Sequence, residues 1–181
     1  IVMIHVSQPD TAAPEMFRTP LQAQVYRTLD ALGIPFSRVD TDEAITMADC
    51  AAIDEGLSVK VVKTLFLCNR QKTAFYLYIM PGDKPFRSKD FSAGLGISRV
   101  SFAPPELLDT MMGVTVGAAT VFSLLRPEAR DVQLVMDPDV LAEPFYGCSD
   151  GTTTGYMKLR TADVTERLVP ATGHSVQMCR M

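Results

Sequence analysis

Two β-rich runs lie close together near the middle of the chain, at residues 61–68 and 73–80. β-Branched and aromatic residues favour strands, and the polar stretch between the runs, 69–72, is typical of a hairpin connection. In a chain of 181 residues with 47% apolar content there is enough apolar material for one sizeable core. The pattern therefore predicts two central strands within a single domain that spans residues 1–181.

The first helix is marked at both ends. Thr19 followed by Pro20 is typical of a helix N-terminus, apolar residues recur at helical spacing, and Gly33 ends the pattern. Residues 1–18 lack periodicity and are expected to form an irregular arm. Similar patterns predict helices near 46–56, 88–95, 104–112, 138–141 and 161–169, with Thr46, Ser88 and Thr161 as caps, and strands near 36–39, 99–102, 132–136, 156–159 and 175–179. Strands mixed irregularly with helices predict an α+β fold with a mainly antiparallel sheet.

Cysteine and histidine content limits the available chemistry. The four cysteines show no C-x-x-C spacing, and the two histidines, His5 and His174, lie near opposite ends of the chain. This pattern argues against a zinc site, a disulfide framework and a Ser-His-Asp triad. We therefore expect no metal and no cofactor. Neither a secretory signal nor a membrane-spanning stretch is visible, so we expect a cytoplasmic protein with no membrane partner.

Charge is unevenly distributed along the chain. The net charge is −4, yet residues 60–99 hold eight basic residues against two acidic ones. Two interpretations stay open: a solvated face of hairpins and loops, or a patch that binds a phosphate backbone. The eight basic residues are Lys60, Lys63, Arg70, Lys72, Lys84, Arg87, Lys89 and Arg99.

Several segments together resemble the YbaK and prolyl-tRNA editing domain family. They are 62–67 (VKTLFL), 80–84 (MPGDK), 95–96 (LG), 101–103 (SFA), 112–122 (MGVTVGAATVF) and 171–174 (ATGH). The resemblance implies a small mixed β-barrel-like sheet with flanking helices. It also implies hydrolysis of the ester that joins a mistaken amino acid to the 3′ end of tRNA, in a pocket between the strand of Lys63 and the loop of Gly117.

Lys63 is a cation inside an otherwise apolar strand run. Burying an ammonium is costly unless an anion compensates it, so Lys63 either needs a partner or lies at a strand end with its head in water. The resemblance favours a contact with the terminal adenosine or its phosphate. Thr64 follows at a position implied to face the substrate.

The loop around Gly117 is the second candidate element. Glycine permits backbone conformations that other residues resist, so the amides of Gly117, Ala118 and Ala119 could donate to an oxyanion. An ordinary glycine turn is the alternative. The resemblance implies that water is the nucleophile, positioned by backbone groups and by a ribose hydroxyl of the substrate. Thr46 and Phe122 are further candidates for contact with the substrate.

The chain also departs from the family pattern. Val121 stands where the loop of the family has a proline, and no His-Pro pair occurs near Tyr146. Asp150 could hold the substrate amine, or could simply form a turn before Gly151. Nothing near Cys148 would lower the pKa of its thiol, so we do not expect it to act as a nucleophile.

Three functions follow from these features. The first is a trans-editing deacylase acting on Ala- or Cys-tRNA(Pro), with tRNA and a prolyl-tRNA synthetase as partners. The second is a non-catalytic protein of the same fold that binds aminoacyl-tRNA or an amino acid. The third is a structural interaction domain, which would expose a large apolar patch. The sequence leaves the oligomeric state open.

Overall fold

The computed structural model describes residues 4–44 and 46–181, without the side chain of Met47. These residues form an α+β fold with two sheets and flanking helices. The strands are β1 (Ser37–Asp40), β2 (Val62–Asn69), β3 (Phe75–Pro81), β4 (Val100–Phe102), β5 (Gln133–Met136), β6 (Phe145–Ser149), β7 (Gly155–Arg160) and β8 (Val176–Met178). The larger sheet has the order β4-β2-β3-β5-β8, and the smaller one the order β1-β7-β6.

Helices cover both sheets. They are α1 (Pro20–Leu32), α2 (Met47–Leu57), α3 (Ser88–Leu95), α4 (Pro105–Met112), α5 (Pro138–Leu141), α6 (Thr161–Asp163) and α7 (Val169–Ala171). Two 3-10 turns, Val121–Leu125 and Pro127–Ala129, precede β5, and a π turn, Val164–Leu168, joins α6 to α7. Across the part of the chain that the structure describes, no helix is both long enough and apolar enough to cross a membrane.

The predicted hairpin is confirmed and lies at the centre of the larger sheet. β2 and β3 pair antiparallel, with Thr64 opposite Ile79 and Phe66 opposite Leu77. Phe66, Leu77 and Ile79 belong to the main core, into which α1 packs its apolar face. Because side chains alternate along a strand, the intervening residues face a second apolar cluster, which contains Leu67, Tyr78, Met80 and Phe91.

The strands do not close into a barrel. Antiparallel pairs predominate, as expected, but β3–β5 and β5–β8 are parallel, and the strands divide into two sheets. A single parallel bridge between Val61 and Gly147 joins the two sheets within the described residues. A Cβ at position 147 would lie 2.7 Å from Val59 Cγ1 and 3.2 Å from Val61 Cα, so glycine permits this close approach. We call this contact the sheet junction.

Two predicted caps and one strand differ from expectation. Ser88 and Thr161 lie inside the helices they were expected to cap, at positions preceded by Arg87 and Arg160, and neither cap position shows a side-chain hydrogen bond. The Ser88 hydroxyl instead donates to the Val100 carbonyl of β4. The sequence did not predict β6, because a glycine interrupts its short apolar run. Of the irregular arm, residues 1–3 lie outside the described residues, and residues 4–18 contact the fold through bridges at Val6 and Asp10.

Candidate functional site

Two of the predicted site residues, Lys63 and Thr64, follow the sheet junction along β2. β2 and β6 run in the same direction from the Val61–Gly147 bridge, so Lys63 and Thr64 follow it in one sheet and Ser149 follows it in the other. The loop that carries Gly117 is attached to this second side, because the Thr120 hydroxyl donates to the Ser149 carbonyl at 2.8 Å. The Gly117 loop is therefore tied to the end of β6, whereas Lys63 and Thr64 lie on β2.

Lys63 is half-buried, and its ammonium donates to the backbone carbonyl of Lys84. No ion pair of Lys63 is found in residues 4–44 and 46–181. Since an ammonium has three N–H donors, Lys63 can still bind an anion. Strand alternation places Lys63 on the face of the second apolar cluster and Thr64 on the main-core face, so these two neighbours do not point the same way.

An ion cluster that the sequence did not predict anchors the partner of Lys63. Lys84 Nζ lies 2.8 Å from Asp137 Oδ2 and 2.7 Å from Asp139 Oδ2. Asp137 is fully buried and also caps α5 through the Asp139 amide. The hydrogen bond from Lys84 to Asp137 is the main cause of a raised pKa of the Lys84 ammonium, and the bond to Asp139 is the second cause. The cluster fixes the turn whose carbonyl accepts from Lys63. Lys84 and Asp137 are 53 residues apart in the sequence, so no local pattern indicated this pairing.

Gly117 has a left-handed backbone, with φ of +92°, in an exposed turn. The buried Ala118 donates its amide to the Thr115 carbonyl at 3.0 Å, so this amide is not available to an oxyanion as expected. For the amides of Gly117 and Ala119, no acceptor is found among the described residues. Within the described residues, one of the three predicted donors is thus seen to be occupied.

The loop between β6 and β7 lies next to Gly117 and is also hydrogen-bonded to the segment before α2. A Cβ at Gly117 would lie 3.7 Å from Thr153 Cγ2, while the Thr154 carbonyl accepts from the Thr41 amide at 2.9 Å. Thr46 is exposed at the start of α2, where its hydroxyl accepts from the Asp49 amide in a capping box, as predicted. Thr46 thus begins a helix on the same side of the fold as the Gly117 loop.

Asp150 does not face a substrate amine. The side chain is fully buried and accepts four hydrogen bonds: Oδ2 from Gln22 Nε2 at 2.9 Å and the Tyr26 hydroxyl at 2.8 Å, and Oδ1 from the Thr152 hydroxyl at 2.7 Å and the Thr152 amide at 3.2 Å. Burial first, and then the Asp150 charge, raise the pKa of Tyr26, which keeps its hydroxyl protonated as a donor. Because every acceptor position is used, this carboxylate is structural, which corrects the expected substrate contact.

Phe122 and Cys148 are also interior residues. Phe122 is 0% exposed in the main core, so it supports the Gly117 loop from behind rather than contacting a substrate. Burial raises the pKa of the Cys148 thiol well above its ordinary value, which disfavours a nucleophilic thiolate. Tyr146 is buried as well, and its hydroxyl finds no partner in the described structure.

Two cavities are found in the described part of the chain, and neither is lined by Lys63 or Gly117. One, of about 320 Å³, is lined by Arg18, Thr19, Thr115 and the loop 151–154, next to the Gly117 turn. The other, of about 850 Å³, lies between residues 141–144, 160–170 and 174–178. Among the described residues no group of three or more His, Cys, Asp or Glu side chains is placed to hold a metal ion.

Known proteins resemble this chain in sequence and in fold. The family of aminoacyl-tRNA editing domains matches residues 41–166. A relative from Acetoanaerobium sticklandii, named prolyl-tRNA editing protein ProX, is 25% identical over 151 residues, which cover 83% of this chain and 92% of that protein.

Solved structures share the fold. A candidate trans-editing enzyme for prolyl-tRNA synthetase superposes with a TM-score of 0.63 at 17% identity, covering 91% of this chain and 99% of the other. A hypothetical protein gives a TM-score of 0.66 at 21% identity, covering 87% and 98%. At these identities the likeness concerns the fold alone. The family match, however, covers more than half of the chain and includes both β2 with Lys63 and the Gly117 loop, so the chain belongs to the aminoacyl-tRNA editing domain family.

Proposed function

We propose that this protein is a trans-editing deacylase that hydrolyses mischarged tRNA(Pro), with Ala- or Cys-tRNA(Pro) as substrate. The family match over residues 41–166 carries the proposal, and the relative named as a prolyl-tRNA editing protein supports the choice of tRNA. The half-buried Lys63, which has no carboxylate partner in the described residues, supports a site for an anionic ligand. A prolyl-tRNA synthetase is the expected source of the mischarged tRNA.

The proposed reaction is an ester hydrolysis in which water attacks the carbonyl carbon of the aminoacyl group. The ester C–O bond breaks, the ribose oxygen takes up a proton, and the free amino acid leaves. The amides of Gly117 and Ala119 would stabilise the oxyanion, whereas Ala118 holds the turn in place. Lys63 would bind the 3′-terminal phosphate or adenosine of the tRNA.

Substrate choice is assigned to exposed or half-buried residues. Thr64 lies one residue after Lys63, and Thr46 begins α2 near the loop that contacts Gly117. Both side chains carry hydroxyls that can donate or accept a hydrogen bond. Phe122 and Asp150 contribute through the framework, because neither is accessible.

The test is deacylation of Ala-, Cys- and Ser-tRNA(Pro), with Pro-tRNA(Pro) as the correctly charged control. Release from one mischarged tRNA, abolished in Lys63→Ala and unchanged in Lys60→Ala, is the expected result. Lys60 is a matched control because its side chain is 80% exposed and pairs with Glu143. Absence of release from all three tRNAs by folded protein would refute prolyl editing.

A non-catalytic binder is the second candidate, and one observation favours it. The Ala118 amide donates to the Thr115 carbonyl, so one of the three predicted oxyanion donors is occupied. This function predicts that the protein binds aminoacyl-tRNA and protects its ester. In the same assay, slower loss of the amino acid than in buffer alone would identify a binder.

A further inference from the structure

Three exposed cations come together at the edge of the larger sheet. Arg87 and Lys89 flank Ser88 at the start of α3, and the Ser88 hydroxyl donates to the carbonyl of Val100, the residue after Arg99. A second bond, from the Val100 amide to the Ser92 hydroxyl oxygen at 3.3 Å, also holds β4 against α3. In the described part of the chain, none of the three cations forms an ion pair, although an exposed aspartate lies in the same helix turn.

An exposed aromatic ring lies beside these cations. Phe102, in the edge strand β4, is 61% exposed, and its ring centroid is 5.7 Å from that of the half-buried Phe86. Phe86 in turn packs on the buried Phe91, with ring centroids 6.0 Å apart, which fixes its position. We use the name basic-aromatic surface for this group, which consists of Phe86, Arg87, Lys89, Arg99 and Phe102.

This surface continues from Lys63. Phe102 pairs with Leu67 across β2 and β4, four residues along the strand from Lys63, or about 13 Å. Lys63 and Leu67 share one strand face, and the Lys63 ammonium bonds to Lys84, two residues before Phe86. The face of the sheet at Leu67 is buried with Phe91 of α3, so a polymer held at Lys63 would reach the basic-aromatic surface along the segment from Lys84 to Phe86.

We propose that the basic-aromatic surface binds the acceptor arm of the tRNA, next to the 3′ end held at Lys63. The inference rests on the proposed function, which supplies the tRNA. Cations without carboxylate partners attract a phosphate backbone, and an exposed aromatic ring offers a stacking face for an unpaired base. These cations form a local basic region in a chain whose net charge is −4, so a phosphate backbone would be attracted to this surface rather than to the protein as a whole.

The first experiment measures binding of uncharged tRNA(Pro) as a function of salt, so it does not require hydrolysis. The double variant Arg87→Ala/Arg99→Ala is compared with the charge-matched double variant Arg27→Ala/Arg130→Ala, whose arginines are exposed elsewhere. We expect the first to flatten the slope of log affinity against log salt by about two, which corresponds to roughly 50–100-fold weaker binding near 0.1 M salt. The control should bind like the wild type.

The second experiment separates stacking from charge. Phe102→Ala removes an exposed ring, so the fold should persist, and tRNA binding should weaken at least about fivefold with the salt slope unchanged. Hydrolysis of a short aminoacylated 3′-end fragment should be the same in all variants, whereas kcat/KM for the whole mischarged tRNA should fall in the two surface variants.

The outcomes distinguish this inference from the proposed function. If the wild type hydrolyses no substrate but the Arg87/Arg99 variant still loses tRNA binding relative to its control, the surface assignment stands and prolyl editing fails. If the wild type hydrolyses mischarged tRNA and both double variants bind and react equally, the surface assignment is overturned. Loss of binding in both double variants would also overturn it, because the effect would then be one of total charge.

Discussion

Replacing Asp150 by Asn distinguishes a structural carboxylate from one that binds substrate. The change keeps the size of the side chain but turns one acceptor oxygen into an NH2 donor. Each oxygen of Asp150 accepts from one hydroxyl and one N–H group. A hydroxyl can rotate to accept a hydrogen bond. The Thr152 backbone N–H cannot, and the Gln22 amide is held in its orientation because its oxygen accepts from the Arg18 amide at 2.6 Å.

At least one buried donor therefore loses its acceptor in either orientation of the new amide, with its NH2 group in the place of Oδ1 or of Oδ2. An unsatisfied buried donor costs about 1–3 kcal/mol, and the hydrogen bonds lost here involve a charged acceptor. We expect a loss of about 2–3 kcal/mol, which for a chain of this size lowers Tm by roughly 4–12 °C. Tyr26→Phe removes one donor only and should cost about 1 kcal/mol.

Thermal and urea unfolding of both variants measure this effect, with KM for the mischarged tRNA as the second readout. A structural role predicts lower stability with KM unchanged at a temperature where the variant is folded. An unchanged Tm together with a raised KM would refute the argument, since it would mean that the carboxylate serves the substrate amine.

Three further predictions concern the ion cluster and the sheet junction. Asp137→Ala should lower the unfolding free energy, measured by urea titration, by about 3 kcal/mol, because it leaves Lys84 without its buried partner and α5 without its cap. Asp139→Ala, at a solvent-exposed carboxylate, should lower it much less. Equal losses in the two variants would contradict this ranking. Hydrogen bonds from Lys84 first, and then from Arg180, lower the pKa of Asp139. Its contribution to the unfolding free energy is therefore present above about pH 4 and is lost as the pH falls through the lowered pKa. In unfolding curves measured against pH, Asp139→Asn should flatten this loss of stability on the acid side. Gly147→Ala places a Cβ against the chain before β2 and should cost about 1–3 kcal/mol; unchanged stability would contradict the close packing.

Local patterns predicted most of the fold because they act within a few residues. Thr19, Pro20 and Gly33 mark the ends of α1, and Thr46 forms the expected capping box. The hairpin followed from two β-rich runs and the polar stretch between them. β6 was missed because its pairing with β7 and its contact at Gly147 are tertiary, and no local propensity marks them.

The candidate site was less predictable than the fold. Lys63 stood out because a cation interrupts an apolar run, and its carbonyl partner at Lys84 accounts for how it is accommodated. The sequence could not show that Ala118 would bond within its own turn or that Asp150 would be enclosed by α1, since these depend on distant parts of the chain. Charged turn residues look alike in sequence whether they face solvent or the interior.

The hydrogen bonds to Asp150 also bear on where the folding unit begins and ends. Gln22 and Tyr26 lie in α1, outside residues 41–166, yet they supply two of the four donors to a carboxylate inside that range. At the other end, β8 completes the larger sheet beyond residue 166. A shortened chain that keeps only the family-matched residues would leave this carboxylate with half of its donors and would expose the edge of β5. We expect such a fragment not to fold alone, which circular dichroism of the fragment beside the full chain would check.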